Sequence, residues 1–225
     1  MDELKRAAAE SAVTLVRDGM IVGLGSGSTA ALAVDAIGKR VAAGLRIIGI
    51  PTSERTAAQA RALGILLSDL GEHTEIDLTI DGADEVETGT LNLIKGHGGA
   101  LLREKIVANA SKRLVIVADE SKLVARLGDR MAVPVEVVPF GWQVAARRLA
   151  DLGAKSGLRQ GSDGKPFVSD GGHYILDCTF AQVASGEALA AELDHVVGVV
   201  EHGLFIGFTT EVRVAGAGGV RVLAA

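Results

Sequence analysis

The sequence predicts an α/β fold, a parallel sheet carrying a smaller α+β unit, and three observations predict it. Through the first 130 residues short apolar runs alternate with segments of helical spacing, the pattern that builds a parallel sheet covered by helices. From about Met131 the order becomes strand, helix, two strands, helix, strand, which is the split β-α-β order of a ferredoxin-like unit. The closing stretch EVRVAGAGGVRVLAA returns to short apolar strands with glycine turns and is expected to rejoin the first sheet. The division is therefore 1–130 for the parallel-sheet domain, 131–205 for the smaller unit and 206–225 for the returning strands.

The elements follow in chain order. Residues 3–18 carry Leu4, Ala8, Ala12, Leu15 and Val16 at helical spacing, and Gly19 ends the helix. MIVGLG is a buried strand that runs into the glycine-rich GLGSGSTA, and ALAVDAIGKRVAAG continues as a helix closed by Gly44. LRIIGI is the next strand, and PTSERTAAQARALG is a helix opened by Ser53 or Thr52. EIDLTIDGADEV reads as a strand whose end carries acids. The glycine-rich KGHGG leads into the helix ALLREKIVANA, and RLVIVADESKLV is a strand ending in a charged turn. Beyond it come MAVPVEVVPF, the helix GWQVAARRLADLG, two strands around the turn-rich SDGKPFVSDGG, the helix SGEALAAELDHVVG and VVEHGLF.

Composition narrows the function. The chain has 225 residues, 48% of them hydrophobic, enough to bury a core, and no apolar run of the roughly 20 residues a membrane span needs. The start MDELKRAAAE has no targeting pattern, so a cytoplasmic protein is expected. Cys178 is the sole cysteine and reads as a small buried hydrophobe. A net charge of −5 with no basic stripe argues against nucleic acid as a partner, and with no apolar span no membrane partner is expected either. An acidic protein that binds an anion must use a few placed cations and backbone N–H groups.

Three segments meet that need. Gly23 to Thr29 lies between a strand and a helix, so its glycines allow close approach and its N–H groups face an anion at the helix start. It lacks the Gly-Lys-Ser/Thr of a nucleotide loop, and the next strand ends in Ile50-Pro51-Thr52 without an acid for a ribose hydroxyl. Ser28 and Thr29 either contact phosphate or cap the helix. Asp81 and Asp84 stand three apart at a strand's carboxyl end, where open α/β sheets bind ligands, although Asp-Gly also marks a simple turn. Asp77 has a weaker claim.

Lys95-Gly96-His97-Gly98-Gly99 delivers main-chain donors and one ammonium to a common point, suited to an oxyanion or a phosphate. Glu104 follows between Arg103 and Lys105, a setting that by spacing alone reads as a solvated helix face. Lys122 leaves the carboxyl edge of the sheet in ADESK, where it is either a ligand or a surface lysine. The five histidines show no metal-ligand spacing, and neither a G-x-S-x-G elbow nor a cysteine–histidine pair occurs. No metal and no cofactor are expected.

Taken in order, GLGSGST, PTSERTAAQA, DLTIDGADEV, LIKGHGGALLREKIVA, VADESKLV, VPVEVVPF and GGHYILD resemble the type A ribose-5-phosphate isomerases nearly end to end. The resemblance implies a Rossmann-like α/β domain with a smaller α+β lid, a homodimer or homotetramer, and cofactor-free interconversion of D-ribose 5-phosphate and D-ribulose 5-phosphate in the non-oxidative pentose phosphate pathway. It implies that Glu104 is the proton-transferring base. Substrate-binding runs fall on Ser26, Gly27, Ser28 and Thr29, on Asp81, Gly82, Ala83 and Asp84, on Lys95, Gly96, His97 and Gly98, and on Lys122, with Lys5 approaching the phosphate.

Asp81, with Asp84 nearby, would open the furanose ring, and Lys95 would stabilise the enediolate. Two departures from the family stand out. His97 replaces a glycine of the usual loop, and Ile206-Gly207-Phe208-Thr209 lacks an expected asparagine. Three rivals share parts of the pattern. A sugar-phosphate deaminase needs an acid or histidine dyad absent here. A phosphosugar sensor needs a helix-turn-helix for which the residues before Gly23 are too few. An acyl-CoA transferase uses a glutamate in another motif.

Overall fold

The computed structural model describes residues 2–224 except 182 and 184. The amino-terminal half begins with α1 (Asp2–Val13), β1 (Ile21–Leu24), α2 (Ser28–Ala42), β2 (Ile48–Pro51), α3 (Glu54–Ala62) and β3 (Leu66–Leu67). It continues through β4 (Leu78–Gly82), β5 (Glu85–Glu87), β6 (Leu93–Ile94), α4 (Leu101–Asn109), β7 (Leu114–Asp119) and β8 (Leu123–Val124). The remainder comprises β9 (Val133–Val137), α5 (Trp142–Asp151), β10 (Ala154–Leu158), β11 (Tyr174–Phe180), α6 (Gly186–Asp194), β12 (Val199–His202), β13 (Leu204–Phe205), β14 (Glu211–Gly216) and β15 (Gly219–Ala224).

The main sheet has the order β15-β14-β7-β4-β1-β2-β3, parallel except at its β15 edge. β7 shows why its sequence is apolar throughout. Val115 and Val117 face the core made with α1 and α2, whereas Leu114, Ile116 and Ala118 face the opposite core with Val86, Leu93 and Phe205. A strand covered on both faces has no polar side to alternate. From β1 the chain winds one way to β2 and β3, then restarts on the other side with β4 and β7. The carboxyl ends of β1 and β4 therefore flank the point where winding reverses, the crevice in which such sheets hold ligands.

A second sheet, in the order β10-β11-β9-β12, is antiparallel throughout and packs with α5 and α6 around Val135, Leu149, Leu176 and Leu193. The small β13-β6-β5-β8 sheet joins the two. It holds Leu204–Phe205, which pairs with Leu93–Ile94 and not with the second sheet.

Two sequence expectations change in detail, and a third, left between two residues, is resolved. The first helix stops at Val13 because Leu15 and Val16 close back onto Ala12 and Val13 in tight turns before Gly19. The acidic strand splits into β4 and β5, which lie in different sheets. The bend is held by the buried Glu85 carboxylate, which accepts from the N–H groups of Gly128, Arg130 and Met131 at 2.7, 2.8 and 2.7 Å. Of the two candidates, Ser53 is the α3 N-cap, accepting from Thr56 N.

Candidate active site

The residues flanking the switch point converge on one cleft. Its lining includes Lys5, Ser26, Gly27, Ser28, Thr29, Gly82, Ala83, Asp84, Lys95, Gly96, Gly98, Glu104 and Lys122. One wall is the start of α2. Gly27 is its N-cap and no side chain caps it, so Ser28 and Thr29 do not serve as caps and the first N–H groups stay available. Lys5 crosses from α1 to donate to Ser28 Oγ at 3.1 Å, bringing an ammonium to that helix end. Lys122 faces the cleft from a short 3-10 turn after β7, whose start is capped by Asp119.

The loop after β1 is anchored underneath. Ser26 Oγ contacts Thr52 Oγ1 and Ser53 Oγ, both at 2.8 Å, and these hydroxyls are buried. Gly25 must lack a side chain, because a Cβ there would meet Asp81 at 2.3–2.5 Å. The sequence singled out neither Thr52 nor Ser53 as part of this support. Their place in a polar Pro-Thr-Ser run at a strand end was the available signal.

At the floor lie three buried ionisable groups. Lys95 Nζ sits 3.0 Å from Asp81 Oδ2 and 3.5 Å from Glu104 Oε1, and donates to Gly82 O at 2.6 Å. Glu104 is only 4% exposed, contrary to the solvated-face alternative. It shares the inward stripe of α4 with Leu101, Val107 and Ala108. Its Oε2 is buried and has no hydrogen-bond partner among the described residues.

Burial raises the Glu104 pKa to about 8; Lys95 opposes the rise, and the charges of Asp81 and Asp84 add to it. Burial raises Asp81 too, against the pull of Lys95 and two backbone donors. Burial on its own would lower Lys95, but Asp81, Glu104 and Asp84 outweigh it and hold the ammonium above its ordinary value. One buried cation cannot neutralise two carboxylates. The retained proton favours Glu104, because Asp81 accepts from Ser26 N, Gly82 N and Lys95, whereas Glu104 has one long contact.

Asp81 differs from its sequence assignment, whereas His97 contributes its main chain to the loop. Asp81 is 1% exposed with both oxygens engaged inside the protein, so it lies beneath the cleft instead of in it. Asp84 lines the cleft, with Oδ2 accepting from His97 N at 3.0 Å. The His97 imidazole turns away, its Nε2 3.0 Å from Ala132 O, because the loop uses only the main chain of that residue toward Asp84.

Two further features surround the floor. Phe205 lies under two cations, its ring centroid 5.6 Å from Lys95 Nζ and 5.1 Å from Lys105 Nζ. Gly203 passes so close that a Cβ would stand 2.2 Å from Lys95 O. The departing segment 206–209 lies apart from the cleft: Gly207 N donates to Asn92 Oδ1 at 3.0 Å, and Phe208 meets Phe205 edge to face. Asp194, Glu201 and His202, distant from any metal spacing in sequence, come together behind α4. There Lys105 already supplies the cation, 2.6 Å from Glu201.

The family model for ribose 5-phosphate isomerase A (phosphoriboisomerase A) matches residues 48–219. The chain is 59% identical over 223 residues to the ribose-5-phosphate isomerase A of Gloeobacter violaceus, covering 99% of this chain and 96% of that one. It is similar to the structure of ribose 5-phosphate isomerase A from Methanocaldococcus jannaschii, at 40% identity and a TM-score of 0.95, with 99% of each chain covered. It is also similar to a D-ribose-5-phosphate isomerase solved in complex with phospho-erythronic acid, at 36% identity and a TM-score of 0.96, covering 99% of this chain and 98% of that one.

Proposed function

Since the chain belongs to the ribose 5-phosphate isomerase A family, we propose that the cleft at the β1–β4 switch point is where it interconverts D-ribose 5-phosphate and D-ribulose 5-phosphate. The observation that carries the placement is the buried Glu104 carboxylate with its unpartnered Oε2, beside Lys95 and within one cleft with an uncapped helix start.

The phosphate binds at the start of α2, against the N–H groups and hydroxyls of Ser28 and Thr29, with Lys5 and Lys122 supplying positive charge. That binding energy positions the reacting end of the sugar over Glu104. Asp84 moves the proton between ring oxygen and anomeric hydroxyl on ring opening; its exposure to the cleft supports it over Asp81. Glu104 then removes the proton from C2 and returns it to C1, while a hydroxyl proton shifts from O2 to O1. Lys95 and the loop N–H groups stabilise the enediolate that lies between, with Asp81 holding the ammonium in place. Phospho-erythronic acid, with a carboxylate in place of the reacting carbons and a phosphate at its other end, fits the same cleft as a mimic of that intermediate.

The homodimer or homotetramer is part of this reading, supported by Phe140 and Val197, which are 94% and 90% exposed on the smaller unit. That unit, 131–205, would act as the lid. A cytoplasmic location follows from the substrate, since charged sugar phosphates do not cross membranes unaided. Conversion of ribose 5-phosphate to the ketose by purified protein, without added metal or nucleotide, tests the function; no ketose formation would refute it.

A further inference from the structure

Arg159 directly follows β10 of the smaller sheet, and its guanidinium reaches across to the glycine loop. Its Nη1 donates to Gly96 O at 2.9 Å and to His97 O at 3.1 Å, two successive carbonyls of the cleft wall. Asp177 on β11 fixes the guanidinium through Nε at 3.0 Å and through a second contact at Nη2, and Phe167 lies under it, ring centroid 5.9 Å away. The arginine side chain is 13% exposed.

A trans peptide points its C=O and N–H in opposite directions. The Gly96–His97 peptide shows the consequence: its carbonyl is drawn to Arg159 while its N–H donates to Asp84 on the cleft side. The same geometry applies to the next peptide. With the His97 carbonyl drawn to Arg159, the Gly98 N–H is turned the other way. Gly98 lines the cleft, and its N–H has no protein acceptor among the described residues. Without a cation behind the loop, two carbonyls a residue apart would be free to turn inward and present negative ends to an anionic intermediate.

We infer that Arg159 is a positioning residue: by pinning the Gly96 and His97 carbonyls it aims the Gly98 N–H at the developing enediolate oxygen. This rests on reading the cleft as the isomerase site. Arg159 does not line the cleft, and its hydrogen bonds go to Asp177 and the Gly96 and His97 carbonyls, none of them on α2, so its loss falls on transition-state stabilisation and spares phosphate binding.

The test compares Arg159→Met with the unaltered protein for kcat, for inhibition by phospho-erythronic acid, and for inhibition by inorganic phosphate. The expected result is a fall in kcat of at least about tenfold, as misaligned catalytic groups produce, with phospho-erythronic acid weakened about as much and inorganic phosphate changed by less than about twofold. A kcat within about threefold of normal, or equal weakening of both inhibitors as general loosening would give, overturns the inference. Should Arg159→Met fail to fold, Asp177→Asn carries the test. It leaves the arginine but slackens its anchor, and a change of about three- to tenfold in the same selective pattern is expected, whereas an unaltered enzyme would refute the role. An unaltered protein with no isomerase activity at all would instead remove the site reading on which the inference stands.

Discussion

Lys95 reaches Glu104 through one carboxylate oxygen, Oε1 at 3.5 Å, and leaves the other, Oε2, buried without a partner among the described residues. An orphaned buried oxygen is costly unless something pairs with it. A substrate C–H, and later the proton itself, is that something. Glu104→Gln keeps the side chain's size but removes the base, so kcat should fall by about 10²–10⁴ with KM nearly unchanged. In heavy water the unaltered enzyme should wash solvent deuterium into the sugar carbon, and the variant should do so far more slowly. Normal turnover with exchange intact would move the search to Asp84.

The same carboxylate sets a pH dependence. Burial raises Glu104 to about 8, and only the ionised form can take a proton, so kcat/KM should climb with pH and level off above about 8. For stability the sign is opposite. A carboxyl whose folded pKa exceeds its unfolded value of 4.5 holds its proton more tightly when folded. Its contribution is therefore fully present below 4.5 and is lost as pH rises through about 8. Activity should thus rise across the range in which this contribution to Tm declines, and Glu104→Gln should flatten the decline. A Tm trend that is unchanged in the variant would locate the proton elsewhere.

Lys122 stands half-buried at the cleft edge, with Asp119 capping the turn that carries it. Removing one charge-assisted contact to phosphate costs about 1.5–3 kcal/mol, so Lys122→Ala should raise KM for ribose 5-phosphate by roughly tenfold or more. Inorganic phosphate should weaken as an inhibitor in parallel. Unchanged phosphate inhibition would make Lys122 a surface lysine that merely faces the opening.

How far the site could be read from sequence depended on what each residue's neighbours in the chain disclosed. The main sheet was legible because β7 is apolar at every interior position and glycine loops follow β1 and β6. The helix start at Ser28 was legible because a glycine run precedes it. Glu104 was ambiguous: flanking Arg103 and Lys105 suggest solvent, whereas Leu101 and Val107, three residues to either side, place it on the buried stripe. The depth of Asp81 was hidden, since it depends on Ser26, 55 residues earlier, donating across the crevice. Arg159 left no signal in the loop it holds, because the contact spans 63 residues and two sheets.

His97 joins that loop to the smaller sheet. Its N–H serves Asp84, and any residue but proline in its place supplies that donor; among the described residues its imidazole pairs with Ala132 O alone, away from the cleft. His97→Gly should therefore keep kcat within a few-fold. It should lower stability by about 1 kcal/mol for the lost hydrogen bond and by roughly as much again for the added chain freedom of glycine. Thermal unfolding and kcat measured on the same preparation separate these effects. A hundredfold fall in kcat would place the imidazole in the chemistry and require the loop to turn toward the sugar when substrate binds.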